Sequence, residues 1–527
     1  MAPRRSLAQA AVPAIAAITA AVALLAIAVA LWRLFAPMTE VAVSSATVER
    51  TPVTVYRPAD GPAGPAVVVA HGFAGSRQLM QAYALALARN GYVAVTYDAL
   101  GHGRHPDPLG GNLTEESGAT VYLLRQLDGI VAFARDLAPD HDRIGLLGHS
   151  MASDIIVRQA GADHDTYAGL VAVSMFSTAV TEEVPPNILV IVGGLEPQVL
   201  KDEAQRVVGL VAPPGTTAEP GQTYGSFAAG TARQWRIAPG VEHIGVLYST
   251  DGIAAAVAWL DRAFGRAGAE VTVPPPRGVW ILVLLAAVVV LAWPASRLLP
   301  VVAARPVGAA LPWRRLWPVA VAPAILTPLI LWPLPTDWLP VLVGDYLLMH
   351  FALYGALTGL GLWWIHRRFP DTRPVDPPPT AWGRLALATL MVAAFVMIGL
   401  GGTIELFVAS FIPTAERALL VPEMMLGTLP FFLVDEWLTR GPARARGGYA
   451  TTKALFLLSL VPAIALDLSN LFFLIILFPV IVLYFIVFGL FSTWSWRRTH
   501  HPWVSGLASA FVFAWCVAVT FPIVTGE

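Results

Sequence analysis

The stretch Arg143-Ile-Gly-Leu-Leu-Gly-His-Ser-Met-Ala-Ser153 holds the residue best placed to do chemistry, because an apolar strand runs into a small-X-Ser-X-small turn and then a helix. A tight strand-to-helix turn pushes the Ser150 hydroxyl out of the backbone, and it needs small neighbours, here Gly148 and Ala152. Ser150 is therefore a candidate nucleophile, although a serine at this point, taken alone, is also an ordinary helix N-cap. His71, His102, His105 and His149 are candidates for organising turns or lining a pocket, and Asp98 for holding a loop. His102 and His105 are close enough to suggest a metal pair, but the single cysteine, Cys516, and the lack of a clear third ligand argue against it. No metal or cofactor is expected.

The elements that must position Ser150 are legible as continuous apolar runs: Ala66 to Ala70, Tyr92 to Thr96, Ile144 to Leu147, Leu170 to Val173 and Ile188 to Val192. Such runs fit a sheet buried on both faces. Helical spacing separates them at Ser76 to Ala88 and at Glu115 to Leu137, the second with Thr114 as a cap and Glu115 and Glu116 in its first turn. This alternation predicts a doubly wound α/β sheet.

Around that segment the chain reads as a membrane protein. It has 527 residues, 56% hydrophobic and only 13% charged, against about 25% charged in ordinary soluble domains. Its net charge of -1 gives no basic field to draw nucleic acid, and one cysteine excludes a disulfide framework. Arginine far outnumbers the two lysines, Lys201 and Lys453, and alanine and proline are abundant, a bias that suggests a GC-rich bacterial genome. Residues 1–38 read as an uncleaved transmembrane anchor, 39–268 as a globular domain, 269–278 as a Pro-rich linker, and 279–527 as eight further spans. These lie near 279–298, 316–334, 338–363, 385–412, 417–438, 452–468, 470–492 and 503–524. Arginine gathers in alternate loops: Arg297, Arg305, Arg314 and Arg315; Arg367, Arg368, Arg373 and Arg384; Arg440, Arg444 and Arg446; Arg497 and Arg498. The intervening loops carry one arginine, Arg417. By the positive-inside rule the N-terminus is cytoplasmic, and the globular domain and C-terminus lie on the exoplasmic side of the cell membrane. Arg33, at the outer end of the first span, fits by snorkelling.

Residues 40–268 resemble the α/β-hydrolase family. His71-Gly72-Phe73 matches its oxyanion loop, Asp98-Ala-Leu-Gly-His-Gly103 the loop after its next strand, and Gly148-His-Ser-Met-Ala152 its nucleophile elbow, in the family's order. The resemblance implies an acid after the strand that ends Val192-Gly-Gly-Leu-Glu196, hence Glu196, with Asp202, Glu203 and Glu242 nearby as rivals. It implies a base before the last helix, at His243. The implied chemistry is acyl transfer from an ester to Ser150, with the backbone N–H groups of Phe73 and Met151 binding the oxyanion. A short loop, Phe176 to Pro186, stands where a cap domain would be inserted, and Ala212 to Gln222 forms a long stretch able to overhang the site. The leading expectation is a membrane-anchored carboxylic-ester hydrolase acting on a small-molecule or lipid ester. Acyl transfer to a lipid or glycan acceptor, and a transporter or scaffold with a non-catalytic binding domain, stay open beside it.

Ionisable residues within spans are costly enough to invite a functional reading. Asp345 and Glu405 are expected deepest, with His350, Glu423, Asp435, Glu436 and Asp467 also within or near spans. Either they form a proton or substrate path, or they pair with neighbours.

Overall fold

The continuous Val, Ile and Ala runs form the centre of an eight-stranded sheet in the computed structural model, which describes residues 7–62, 64–112, 115–138, 142–266, 270–273, 275–372 and 378–525. The strands are β1 (Val41–Val48), β2 (Thr51–Pro58), β3 (Ala66–Ala70), β4 (Val93–Tyr97), β5 (Ile144–His149), β6 (Tyr167–Val173), β7 (Ile188–Gly193) and β8 (Arg233–Ala238). Their spatial order is β1-β2-β4-β3-β5-β6-β7-β8. β2 runs antiparallel to both its neighbours, β1 and β4, and all other neighbours pair in parallel. Successive side chains of a strand point to opposite faces. Val68 of β3 accordingly enters one core, and Val67 and Val69 enter the other. Helices cover both faces, so this is the α/β-hydrolase fold.

After α1 (Leu7–Phe35), an apolar candidate span, the helices that flank the sheet are α2 (Gln81–Arg89), α3 (Ala119–Asp136), α4 (Met151–Ala162), α5 (Gln198–Gly209) and α6 (Thr250–Ala263). α3 starts at Ala119 rather than at Glu115, since Gly118 takes the cap position. Thr114 lies outside the described residues. The three strands without a continuous apolar run are β1, which is mostly exposed, β2 beside it, and β8, whose sequence Arg-Gln-Trp-Arg-Ile-Ala is half polar. β1 and β2 form a hairpin closed by Glu49 and Arg50, both at positive φ. The stretch around Ala212 to Gln222 packs along β8: Gly221 N–H donates to the Trp235 carbonyl at 2.8 Å, and the Trp235 indole donates to the Ala218 carbonyl at 3.0 Å. It covers an edge strand that would otherwise present unpaired backbone groups.

The chain divides into two compact units, one made of 28–284, 404–412 and 522–527, and the other of 1–27, 285–403 and 413–521. Nine helices among the described residues are long and apolar enough to cross a bilayer. In the second unit α7 (Arg277–Ala295), α8 (Trp313–Leu331), α9 (Gly344–Arg368), α10 (Trp382–Val396), α11 (Gly402–Phe407) and α12 (Ala415–Thr439) are followed by α13 (Gly448–Leu466), α14 (Leu468–Leu471), α15 (Phe473–Thr499) and α16 (Trp503–Thr520). α7 starts, and α11 ends, in the sheet-containing unit.

The ionisable residues are placed differently from the expectation of two deep carboxylates. Asp345 stands in the first turn of α9 and accepts the N–H groups of Trp338 and Leu339, at 2.7 and 3.3 Å. Glu405 lies in the last turn before a loop and accepts the N–H groups of Phe411 and Ile412, at 2.6 and 2.8 Å. Both are loop anchors at span ends, because the spans begin or stop several residues from where hydropathy alone put them. Deeper groups are paired: Asp435 with Lys453, Glu436 with Arg440 at 3.1 Å, and His350 with the Ser459 hydroxyl at 2.8 Å. Arg417 donates to the carbonyls of Ala518 and Phe521, each at 2.8 Å, and so caps the end of α16.

Close packing in this unit rests on backbone approach between α9 and α12. A methyl group on Gly427 would stand 2.3 Å from the Leu348 carbonyl oxygen, whereas one on Gly383 meets nothing within 4 Å. Gly427→Ala should therefore cost about 1–3 kcal/mol through overpacking. Thermal unfolding of the full-length protein in detergent should move to lower temperature for Gly427→Ala and not for Gly383→Ala.

Candidate active site

Ser150 sits between β5 and α4 with φ 52° and ψ -118°, a left-handed backbone that side-chain-bearing residues rarely adopt. Such a conformation costs about 1–3 kcal/mol and persists where surrounding contacts enforce it. Here the Ser150 N–H donates to the Val173 carbonyl at 2.9 Å, and the Ser150 carbonyl accepts from the Ser153 N–H at 2.8 Å. Gly148 is required by close approach, since a methyl group there would lie 2.6 Å from the Ala152 carbonyl oxygen.

The turn aims the hydroxyl at a histidine. Ser150 Oγ is 3.0 Å from His243 Nε2, and His243 Nδ1 is 2.6 Å from Glu196 Oε1. A carboxylate only accepts hydrogen bonds, so the ring carries its proton on Nδ1 and leaves Nε2 to accept from the serine. The Glu196 side chain is fully buried, and its second oxygen accepts the Gly193 N–H at 2.6 Å and the Ser174 hydroxyl at 2.9 Å. Three donors thus fix this carboxylate at the C-terminal end of β7. The nearby acids are engaged elsewhere: Asp202 accepts from Gln198, Glu203 bonds Arg206 and the Ser177 N–H, and Glu242 accepts the N–H groups of Ile244 and Gly245.

The other histidines organise the loops. His71 accepts the Ala99 N–H through Nε2 at 3.0 Å and bonds the Gly72 carbonyl through Nδ1 at 2.8 Å, tying the loop after β3 to that after β4. Burial pushes its pKa down, consistent with a neutral ring. His102 bonds the Leu100 carbonyl at 2.8 Å, and His105 reaches Thr51 at 3.2 Å and the Asp107 N–H at 3.0 Å. Among the described residues no group of three or more His, Cys, Asp or Glu side chains is arranged to hold a metal ion. Asp98 is wholly buried and accepts from the Arg77 guanidinium and N–H and from the Arg104 N–H, at 2.8, 2.9 and 3.1 Å.

Two further contacts position the site, one from Ser174, which has no sequence signal, and one from His149, whose organising role the sequence suggests without naming its partner. Ser174, itself at positive φ, orients Glu196. His149 donates from Nε2 to the backbone carbonyl of His243 at 3.0 Å and packs its ring 4.9 Å from the His243 ring. The residue before Ser150 therefore holds the loop that carries His243. For the oxyanion donors, Met151 opens α4, where the first N–H groups have no intrahelical acceptor. Phe73 follows Gly72, at which an added methyl group would come within 3.0 Å of Ser150 Cβ. The loop after β3 thus faces the elbow.

Residues 61–205 match the family model described as serine aminopeptidase, S33. That stretch contains the loop after β3, Ser150 and Glu196, while His243 lies beyond it. Among solved structures, a predicted CIB-like hydrolase from Thermoplasma acidophilum is similar, at 12% identity and TM-score 0.33, covering 42% of this chain and 99% of that one. A search of curated proteins finds no match.

Burial of His149, reinforced by the neighbouring His243 ring, lowers its pKa from 6.5 to about 3. The unfolded imidazole takes up its proton near 6.5, so between those values the unfolded chain binds more protons and stability falls as pH drops. One such group contributes a slope of at most about 1.4 kcal/mol per pH unit. His149→Gln, which can keep the bond to the His243 carbonyl, should lose less thermal stability than the wild type between pH 6.5 and pH 4. Equal losses would contradict a neutral buried ring.

Proposed function

We propose that this protein is a membrane-anchored serine hydrolase that cleaves carboxylic esters through Ser150, His243 and Glu196. The observation that carries the reading is the continuous hydrogen-bonded line from the hydroxyl through the imidazole to a buried carboxylate, at 3.0 and 2.6 Å. The match to a serine peptidase family model over 61–205 supports hydrolysis as the general reaction. In the proposed reaction Ser150 Oγ attacks the ester carbonyl carbon as its proton passes to His243 Nε2. The resulting oxyanion is held by the backbone N–H groups of Phe73 and Met151, each worth about 10²- to 10³-fold in comparable sites. Collapse expels the alcohol, which takes the proton from His243, and leaves an acyl-Ser150 ester. Water then attacks that ester with His243 as base, releasing the acid and restoring the serine. Glu196 keeps the Nδ1 tautomer and stabilises the imidazolium.

The hydrolase unit and the C-terminus lie outside the cytoplasm in this proposal. The alternation of arginine supports it, and so does a parity argument. The C-terminal end of the first span, the start of the second, the end of the fifth and the tail after the ninth all belong to the unit that holds the sheet. An N-terminus on the opposite side and nine consecutive crossings put all four on one side.

With a chromogenic short-chain ester and full-length protein in detergent, Ser150→Ala should lower kcat by about 10⁶-fold. Glu196→Gln should lower it by about 10⁴-fold, by favouring the wrong histidine tautomer. Unchanged turnover in Ser150→Ala would refute the reading, and exclusive formation of an ester in the presence of an added alcohol would assign acyl transfer instead. A reporter fused after Pro275 should behave as exoplasmic and one after Arg315 as cytoplasmic; the reverse pattern would overturn the topology.

A further inference from the structure

Three membrane-spanning segments end on one short stretch of the sheet unit. Arg277, the first residue of α7, is only 3% exposed. Its guanidinium donates to the Leu34 carbonyl near the end of α1 at 2.9 Å and to the Gln81 side chain at the start of α2 at 2.5 Å. The Phe407 ring of α11 lies 5.8 Å from that guanidinium and meets Phe35 edge-on at 5.3 Å. In the segment after α11 the Ser410 N–H donates to Ser76 Oγ at 3.1 Å, and its hydroxyl donates to Gln78 Oε1 at 3.0 Å. Glu405 pairs with Arg104 at 2.5 Å.

These anchor points have a common address. Residues 76–81 continue directly from the His71 to Gly75 loop that packs on Ser150, and Arg104 belongs to the loop after β4. Both loops leave the C-terminal ends of parallel strands, the same sheet edge from which β5 delivers Ser150 and β7 delivers Glu196. The reacting centre therefore shares its end of the sheet with loops that bind the terminal residues of apolar helices. Apolar side chains adjoin the site as well: Leu195 precedes Glu196, Ile244 follows His243, and Phe176 stands two residues beyond Ser174, at 68%, 43% and 55% exposure. Large exposed apolar side chains beside a polar reacting centre suit an acyl chain better than a sugar or a charged peptide.

We infer that the substrate is an acyl ester of a bilayer lipid, which reaches Ser150 from the adjoining leaflet rather than from water. This rests on the serine-hydrolase reading above. The bonds of Glu405 and Ser410 to the loops after β3 and β4 hold the reacting edge at the height of the lipid ester groups.

The test uses full-length protein in phospholipid vesicles and two fluorophosphonates, one on a long-chain lipid and one on a short water-soluble tail. Each forms a Ser150 Oγ–P bond with loss of fluoride. At constant bulk concentration, diluting the lipid-borne probe tenfold with inert phospholipid in the same vesicles should slow labelling about tenfold, because delivery follows mole fraction in the leaflet. Glu405→Gln should slow labelling by the lipid-borne probe about tenfold and leave the soluble probe's rate unchanged. Should the soluble rate also fall, Ser410→Ala, which removes only the bond to Gln78, is read in its place, with a severalfold effect on the lipid-borne probe alone. A labelling rate insensitive to surface dilution, or a faster reaction with the soluble probe in every case, would overturn delivery from the bilayer. Labelling by neither probe would instead overturn the hydrolase reading itself.

Discussion

The left-handed backbone of Ser150 is the constraint on which the site depends. At φ 52° the hydroxyl stands clear of the sheet edge, and the strain is held by backbone bonds to Val173 and Ser153 and by the contact of Gly148 with the Ala152 carbonyl. β5 has to be an inner strand for this to work. Its neighbour β6 supplies the Val173 carbonyl, and β6 leads into Ser174, which orients Glu196. β3, on the other side, leads into the loop that faces the elbow. The strand order is therefore the means by which residues some 90 positions apart come within hydrogen-bond reach of one another.

A second constraint is the way the chain leaves the hydrolase unit. Arg277 is buried, no carboxylate pairs with it among the described residues, and its charge is met by the Leu34 carbonyl and the Gln81 side chain. Losing one partner of a buried charge is expensive, so this contact ties the ends of α1 and α7 to α2. The neighbouring pair Arg104–Glu405 is partly exposed and weaker by itself, but Ser410 and two backbone N–H groups on Glu405 act with it. The segment following Glu270, which reads as a Pro-rich linker, is docked as well: Val271 and Val273 pack on the core and Thr272 bonds Asn90.

What could be read from the sequence was whatever has a short-range signature. The five central strands are continuous apolar runs because both faces are covered, and Ser150 is flanked by the small residues its turn needs. β1, β2 and β8 have no such run: β1 is a mostly exposed edge strand, and β2 and β8 carry polar residues among buried ones. Hydropathy alone places Asp345 and Glu405 deep, since it does not mark where a helix stops; each accepts loop N–H groups at a span end. Ser174 carries no motif, and His149 lies within the elbow motif without any sign of its partner. Their roles come from tertiary proximity, one to a carboxylate 22 residues away and the other to a carbonyl 94 residues away.

The central claim is that the Ser150 hydroxyl is the nucleophile, activated by the line through His243 to Glu196. Its most direct test is mass measurement and peptide mapping of the full-length protein after reaction with a short-chain fluorophosphonate. A single adduct is expected, on the peptide carrying Ser150, forming far more slowly when His243 is replaced by alanine. No adduct, or one on a different residue, would contradict it.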